Sequence, residues 1–164
     1  MKILITGIGN IGKSTLREKV ALTYPDKVLQ IDMDYYDHDD IPQSSTKIIV
    51  VEDVHGLERN PEQYDRIIYL MPPATHNILW LERAWAWFSS GIVDLSNPKG
   101  VNKRYALSNI PVIFDIVAKN LLYRKKWIKN DLLVIENNLK RKTIIVENLA
   151  QGYDKIIEVF ERKI

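Results

Sequence analysis

Residues 1–20 read MKILITGIGNIGKSTLREKV, and the reading of GIGNIGKST within them decides the fold. Gly7, Gly9 and Gly12 spell G-x-G-x-x-G, the dinucleotide fingerprint, while Gly7 to Ser14 spell G-x-x-x-x-G-K-S, a phosphate loop. Either way an apolar strand, Ile3 to Ile5, delivers glycines to a helix start, where free amides and the helix dipole attract anionic oxygens. The residues after Gly12 separate the two readings. In a dinucleotide fold the third glycine lets helix and strand pack closely, and small or apolar residues usually follow; here Lys13, Ser14 and Thr15 follow. An ammonium at the mouth of an amide-lined loop suits the β- and γ-phosphates of a triphosphate, and a neighbouring hydroxyl suits a phosphate-bound Mg²⁺. These letters favour the phosphate loop, with Gly7, Ile8, Gly9, Asn10, Ile11, Gly12, Lys13, Ser14 and Thr15 as its nucleotide-binding residues.

Outward from this loop, 164 residues suit one domain that buries about 70% of its unfolded surface. Hydrophobic content of 46% with 27% charge is that of an ordinary globule. With no cysteine there is no disulfide framework, thiolate metal site or cysteine nucleophile. The first strand begins without a signal-peptide pattern, and no run approaches the ~18 apolar residues of a membrane span, so a cytoplasmic protein without membrane contact is expected. The net charge of +2 hides an asymmetry: residues 1–98 carry 9 Lys/Arg against 14 Asp/Glu, residues 99–142 carry 11 against 3.

Short apolar runs recur at Lys2 to Thr6, Val28 to Asp32, Lys47 to Val51, Arg66 to Met71 and Thr143 to Val146, each consistent with a strand buried on both faces of a parallel sheet. Helical patterns lie between and after them, clearest at Lys13 to Tyr24 and Tyr153 to Lys163, and this alternation argues for a doubly wound α/β sheet. Residues 72–142 between the fourth and fifth strands read as mostly helical, with candidate helices over Leu79 to Phe88 and from Pro111 towards Ile135 on either side of a polar stretch, Ser89 to Gly100. So long an interruption, about residues 75–141, suits a lid inserted into a single domain.

The second strand runs into QIDMDYYDHDD. Asp32 and Asp34, two apart on an extended chain, share one face at the carboxyl edge where open α/β sheets bind ligands. A carboxylate there can accept a proton from an attacking hydroxyl or hold magnesium through water. Asp37, Asp39 and Asp40 read better as a solvated acidic loop. The third strand, IIVVED, brings Glu52 and Asp53 to the same edge, where Asp53 is the expected magnesium-supporting acid. Asp53 to Gly56 also form D-x-x-G, whose Gly56 amide could approach a γ-phosphate.

With these residues in order the chain resembles the small P-loop kinases, the group holding nucleoside and nucleotide kinases, shikimate kinase and polynucleotide 5′-kinase. The resemblance rests on GIGNIGKS, IDMDYY, VVEDVHG and YDRIIYLMPP. It implies a three-layer α/β P-loop nucleoside triphosphatase fold with a five-stranded parallel sheet in the order 2-3-1-4-5 and a helical lid before the last strand. It further implies that Lys13 and the loop amides grip ATP, that Ser14 ligates Mg²⁺ with Asp53 supporting the metal, and that Asp34 orients or deprotonates the acceptor hydroxyl; Asp32, by its place at the strand edge, is a further metal candidate. Two departures bear on the acceptor. Only 12 residues separate Asp34 from Lys47, so the acceptor pocket borrows walls from elsewhere. Arg83 stands alone as the closing arginine in LWLERAWAWF, with Lys99, Lys103 and Arg104 as further cations downstream.

Trp80, Trp85, Trp87 and Trp127 all fall in the insertion, as does YRKKWIK from Tyr123 to Lys129. Aromatics interleaved with cations can stack bases and neutralise phosphates; the plainer reading is lid packing with solvated lysines. His38, His55 and His76 are scattered singly, without metal-ligand spacing. The expected function is an ATP- and Mg²⁺-dependent phosphotransferase for a small hydroxylated or phosphorylated acceptor, a nucleoside or nucleotide first. A polynucleotide 5′-end kinase, using the basic insertion to hold nucleic acid, is the rival within the class. A P-loop ATPase or GTPase switch with a protein partner is the rival outside it, suggested by D-x-x-G and Thr46 but lacking N-K-x-D. A nucleotide-binding module without chemistry is the fourth reading.

Overall fold

A computed structural model of the chain describes residues 1–9, 11–33, 41–78, 81–82 and 110–162. Five strands, β1 (Lys2–Thr6), β2 (Val28–Asp32), β3 (Ile48–Glu52), β4 (Arg66–Leu70) and β5 (Thr143–Val146), form one all-parallel sheet in the order β2-β3-β1-β4-β5. The expected α/β class and strand order are therefore present. Helices α1 (Lys13–Thr23), α2 (Ile110–Val134) and α3 (Leu149–Glu161) are among those that accompany them. None of the described helices is long and apolar enough to cross a membrane.

The chain divides into two compact units, Met1–Pro73 with Trp127–Ile164, and Ala74–Lys126. In the first unit the apolar runs become strands because both sheet faces are covered, so the apolar side chains of the central strands find apolar partners on either face. Successive side chains alternate between faces. Ile3 and Ile5 of β1 join Val50, Ile68 and Leu70 on one face, against Leu16 and Val20 of α1 and Ile156 and Phe160 of α3. Leu4, Ile49, Val51, Ile67 and Tyr69 turn to the other face and meet Ile135 and Leu139. Those two belong to a π-helical turn, Ile135–Leu139, that continues from α2.

Several boundaries differ from the sequence expectation, the first helix ending at Thr23 rather than Tyr24. β3 is shifted by one residue and includes Glu52. β4 ends at Leu70, one residue short of the expected Met71. The last helix begins at Leu149 rather than Tyr153, because Asn148 caps it by accepting a hydrogen bond from the Gln151 amide at 2.9 Å. Gly152 then lies inside the helix, where its bare Cα lets Leu16 of α1 pack; a Cβ there would sit 2.8 Å from the Leu16 side chain. Of the insertion, α2 is described and Pro111 stands in its first turn. The candidate helix at Leu79 to Phe88 lies outside the described residues except Leu81 and Glu82, which are helical. Trp80, Trp85, Trp87 and the polar stretch to Gly100 lie outside them too, as do Lys103 and Arg104.

On the face away from α1, the fully buried Tyr69 donates its hydroxyl proton to Asp131 Oδ2 at 2.8 Å. Burial, and then the nearby Asp131 charge, push the Tyr69 phenol up; burial raises the Asp131 carboxyl as well, against the hydrogen bond from Tyr69, which lowers it. The pair is balanced only while both partners are present. Tyr69→Phe leaves a desolvated carboxyl without its donor and is expected to lower the unfolding free energy by about 1–3 kcal/mol, read from urea titration; the double change with Asp131→Leu should recover part of that loss.

Candidate functional site

β1 is central in the sheet, and its carboxyl end is where the chain turns through the glycine loop into α1. The turn needs two glycines for stated reasons. Gly7 has φ +130° and Gly12 φ +92°, both in the left-handed region that side-chain-bearing residues avoid. At Gly7 a Cβ would also lie 2.6 Å from the Leu70 carbonyl oxygen, so the loop runs against the end of β4 with no room for a side chain. Gly12 is the N-cap of α1 and supplies no side-chain cap, and the first turn carries no acid. The helix start therefore keeps the polarity that attracts an anion.

Lys13 opens the helix and is buried, with its ammonium donating to the Ile8 carbonyl at 3.0 Å. The long side chain thus folds back over the loop instead of leaving for solvent. Ile8 is buried, Ile11 packs partly into the core under α1, and Thr15 is exposed. Gly9 is described; Asn10 lies outside the described residues.

One residue on, Ser14 donates its hydroxyl proton to Glu52 Oε1 at 2.5 Å. Glu52 is the last residue of β3, and its register partner on β2 is Asp32. Both acids fall on the α1 face of the sheet, two and four residues from the inward-facing Val50 and Val28. Arg17, one helical turn beyond Ser14, reaches both. Its Nη1 lies 3.0 Å from Asp32 Oδ2, and its Nε lies 3.6 Å from Glu52 Oε2. Arg17 is 7% exposed and Glu52 8%. Burial raises the Glu52 carboxyl above its ordinary value; the Ser14 hydrogen bond lowers it, the Asp32 charge raises it, and the Lys13 and Arg17 charges lower it.

Asp53 faces the other way. Its Oδ1 accepts a hydrogen bond from the His55 amide at 2.8 Å, folding the segment after β3 into a turn, and its own amide donates to the Ile5 carbonyl at 3.2 Å. The acid brought to Ser14 is thus Glu52, where the sequence points to Asp53. Strand parity could have found it, because Glu52 shares the face of Val50 and Asp53 that of Val51. Gly56 sits over Leu4 on the face away from α1, where a Cβ would meet the Leu4 side chain at 2.7 Å, and so has a packing role in this turn. His55 is exposed beside Glu58, its Nδ1 3.3 Å from Oε2. Asp34, Arg83, His38, Asp37, Asp39 and Asp40 lie outside the described residues. Arg17 is a site residue that the motif reading misses; its spacing, three and four residues after Ser14 and Lys13 on one helix face, is the signal that could have found it.

Beside Asp53 a cleft of about 250 Å³ is lined by Met33, Asp53, Arg59, Asn60, Gln63 and Tyr64. Its walls come from the ends of β2 and β3 and from the β3–β4 connection. Asn60 holds φ +44°, a left-handed conformation at a residue with a side chain. Burial, then the Asp53 charge, push the Tyr64 phenol up, so it stays a neutral hydrogen-bonding group in this cleft.

One feature beside the loop bears on a magnesium-bound triphosphate. Glu52 Oε2 is buried and has no hydrogen-bond partner, leaving an acceptor for a metal-bound water beside the Ser14 hydroxyl. Among the described residues no group of three His, Asp or Glu side chains could hold a metal alone.

Gly7→Ala forces a side chain into a left-handed turn and against the Leu70 carbonyl, and is expected to cost about 1–3 kcal/mol in urea unfolding. Native Glu52 holds its proton more tightly than unfolded Glu52, so its contribution to stability is present below pH 4.5 and is lost as the pH rises through the raised native value. Glu52→Gln lacks that loss. Its stability relative to wild type should therefore rise between pH 4.5 and neutrality, and a pH-independent gap would contradict the shift. No family model matches the chain and no curated protein is significantly similar to it, so the functional reading rests on these residues themselves.

Proposed function

We propose that this chain is an ATP- and Mg²⁺-dependent phosphotransferase of the P-loop kinase type, acting on a small hydroxylated or phosphorylated acceptor such as a nucleoside or nucleotide. The observation that carries this reading is the buried constellation at one helix start: Lys13 folded onto the glycine loop and Ser14 hydrogen-bonded to Glu52. A module that only held an anion would need the amides and the ammonium. A hydroxyl aligned by a strand-end carboxylate adds a place for a cation, and a cation between phosphates belongs with phosphoryl transfer.

In this reading the loop amides and Lys13 bind the β- and γ-phosphates, with the ammonium exchanging the Ile8 carbonyl for phosphate oxygens. Ser14 and Glu52 would hold Mg²⁺, which would supply charge neutralisation for the transferred group. The acceptor lies in the cleft beside Asp53, whose walls supply what the short β2–β3 crossover leaves out. Asp34 remains the proposed acceptor-orienting acid and Arg83 the proposed closing arginine. Asp32, paired to Arg17, supports Glu52 at a distance from the metal.

The polynucleotide end-kinase stands as a second reading because Tyr123, Lys125, Lys126, Trp127 and Lys129 are exposed along α2. Binding of short oligonucleotides that falls steeply with salt would favour it. The switch reading loses support from D-x-x-G, since Asp53 and Gly56 are engaged in their own turn.

Lys13→Ala is expected to abolish ATP-dependent transfer, a loss of roughly 10²-fold or more in kcat, while the sheet remains folded by circular dichroism. Turnover of ATP measured with and without a panel of nucleosides and nucleotides checks the class. Stimulation by one acceptor, with its phosphate formed, supports a kinase; equal hydrolysis without any acceptor, or normal turnover by Lys13→Ala, defeats it.

A further inference from the structure

Arg17 poses a question that phosphate binding does not answer. A guanidinium is almost completely buried between two carboxylates, and removing such a charge from water is costly unless its partners are well placed. Its placement is uneven. Nη1 makes a 3.0 Å ion pair with Asp32, whereas Nε faces Glu52 Oε2 at 3.6 Å, beyond hydrogen-bond range, and both of those atoms lack hydrogen-bond partners. Arg17 therefore attracts Glu52 without occupying its second oxygen. The third contact, Nη2 to the half-exposed Glu18 at 3.9 Å, is solvent-screened and adds little.

The Asp32–Glu52 pair is met by two cations. Asp32 and Glu52 are register partners on adjacent strands, so two acids stand side by side. Arg17 contacts both, and the Lys13 charge also acts on Glu52. Two acids with no cation between them would themselves attract a divalent ion. With two cations beside it, the Asp32–Glu52 pair itself offers such an ion little net negative charge until an anion arrives to engage Lys13.

We propose that Arg17 is an internal counter-cation that keeps divalent metal off the Asp32–Glu52 pair until a triphosphate is bound, so that metal uptake is conditional on nucleotide. Arg17 acts here as a positioning residue: it fixes the two acids, leaves Glu52 Oε2 without a hydrogen bond, and lets Ser14 hold Oε1. Incoming polyphosphate brings the negative charge that the edge lacks. The cation then enters beside Ser14 and Glu52 while Arg17 keeps Asp32. The inference rests on the proposed nucleotide reading for what admits the metal, but not for what excludes it.

The test is Mn²⁺ binding to the full-length, nucleotide-free protein, read as loss of the free-ion signal in electron paramagnetic resonance. Wild type should leave Mn²⁺ free, and Arg17→Gln should bind it about tenfold more tightly or better, since two acids then face each other uncompensated. Adding Asp32→Asn to Arg17→Gln should abolish the gain, which places the ion at this pair. Arg17→Met, which keeps the buried stem, serves where Arg17→Gln does not fold by circular dichroism. Arg17→Lys, which keeps a charge, should exclude Mn²⁺ as wild type does. Tight Mn²⁺ binding by nucleotide-free wild type, no gain in a folded charge-removing variant, or a gain that survives Asp32→Asn would each overturn the proposal. Addition of ATP separates the two ideas: wild type that retains no Mn²⁺ with ATP beyond a protein-free ATP control in equilibrium dialysis defeats the nucleotide reading, while the Arg17→Gln result still decides the exclusion.

Discussion

Two long cations buried at the first two turns of α1 are the constraint on which the rest of the structure depends. Lys13 and Arg17 are almost fully removed from water, and neither can be there without oxygens brought to meet it. The Ile8 carbonyl meets Lys13 because the glycine loop turns back on itself, and it can do so only through left-handed glycines. Asp32 and Glu52 meet Arg17 because β2 and β3 are parallel, adjacent and in a register that ends them together. Sheet order, loop conformation and the position of the acids are thus one solution to the burial of two charges.

The strands are legible in the letters because a sheet covered on both faces needs unbroken apolar runs, and IIVV or RIIYL has few other uses in a chain of this composition. The loop is equally legible, since few purposes require glycines, lysine and serine at that spacing after a strand. The strand order is a different matter. It follows from packing among segments far apart in sequence, and only resemblance supplied it.

Other features are hidden for physical reasons. Glu52 and Asp53 are neighbours with the same chemistry, and only their opposite sides of one strand distinguish them. The start of α3 is masked because Gly152 reads as a breaker, whereas here its missing side chain admits Leu16. Arg17 belongs to no motif; on paper it is one more helix-surface charge. Its burial is created by acids that arrive from two other strands.

The contact between Gly12 and Leu149 carries a consequence for how the molecule comes into being. The Leu149 side chain closes against the loop glycine, and α3 covers the same sheet face as α1. Segments made early and late in synthesis must therefore meet before the anion cradle has a floor. A ribosome-bound chain that has emitted β1, α1 and even β4 still lacks β5, the edge strand beside β4, and the helix that seals the loop from below. Non-local pairing of this kind delays the rewarding contacts during folding, so the glycine loop gains its floor only once β5 and α3 have joined the sheet.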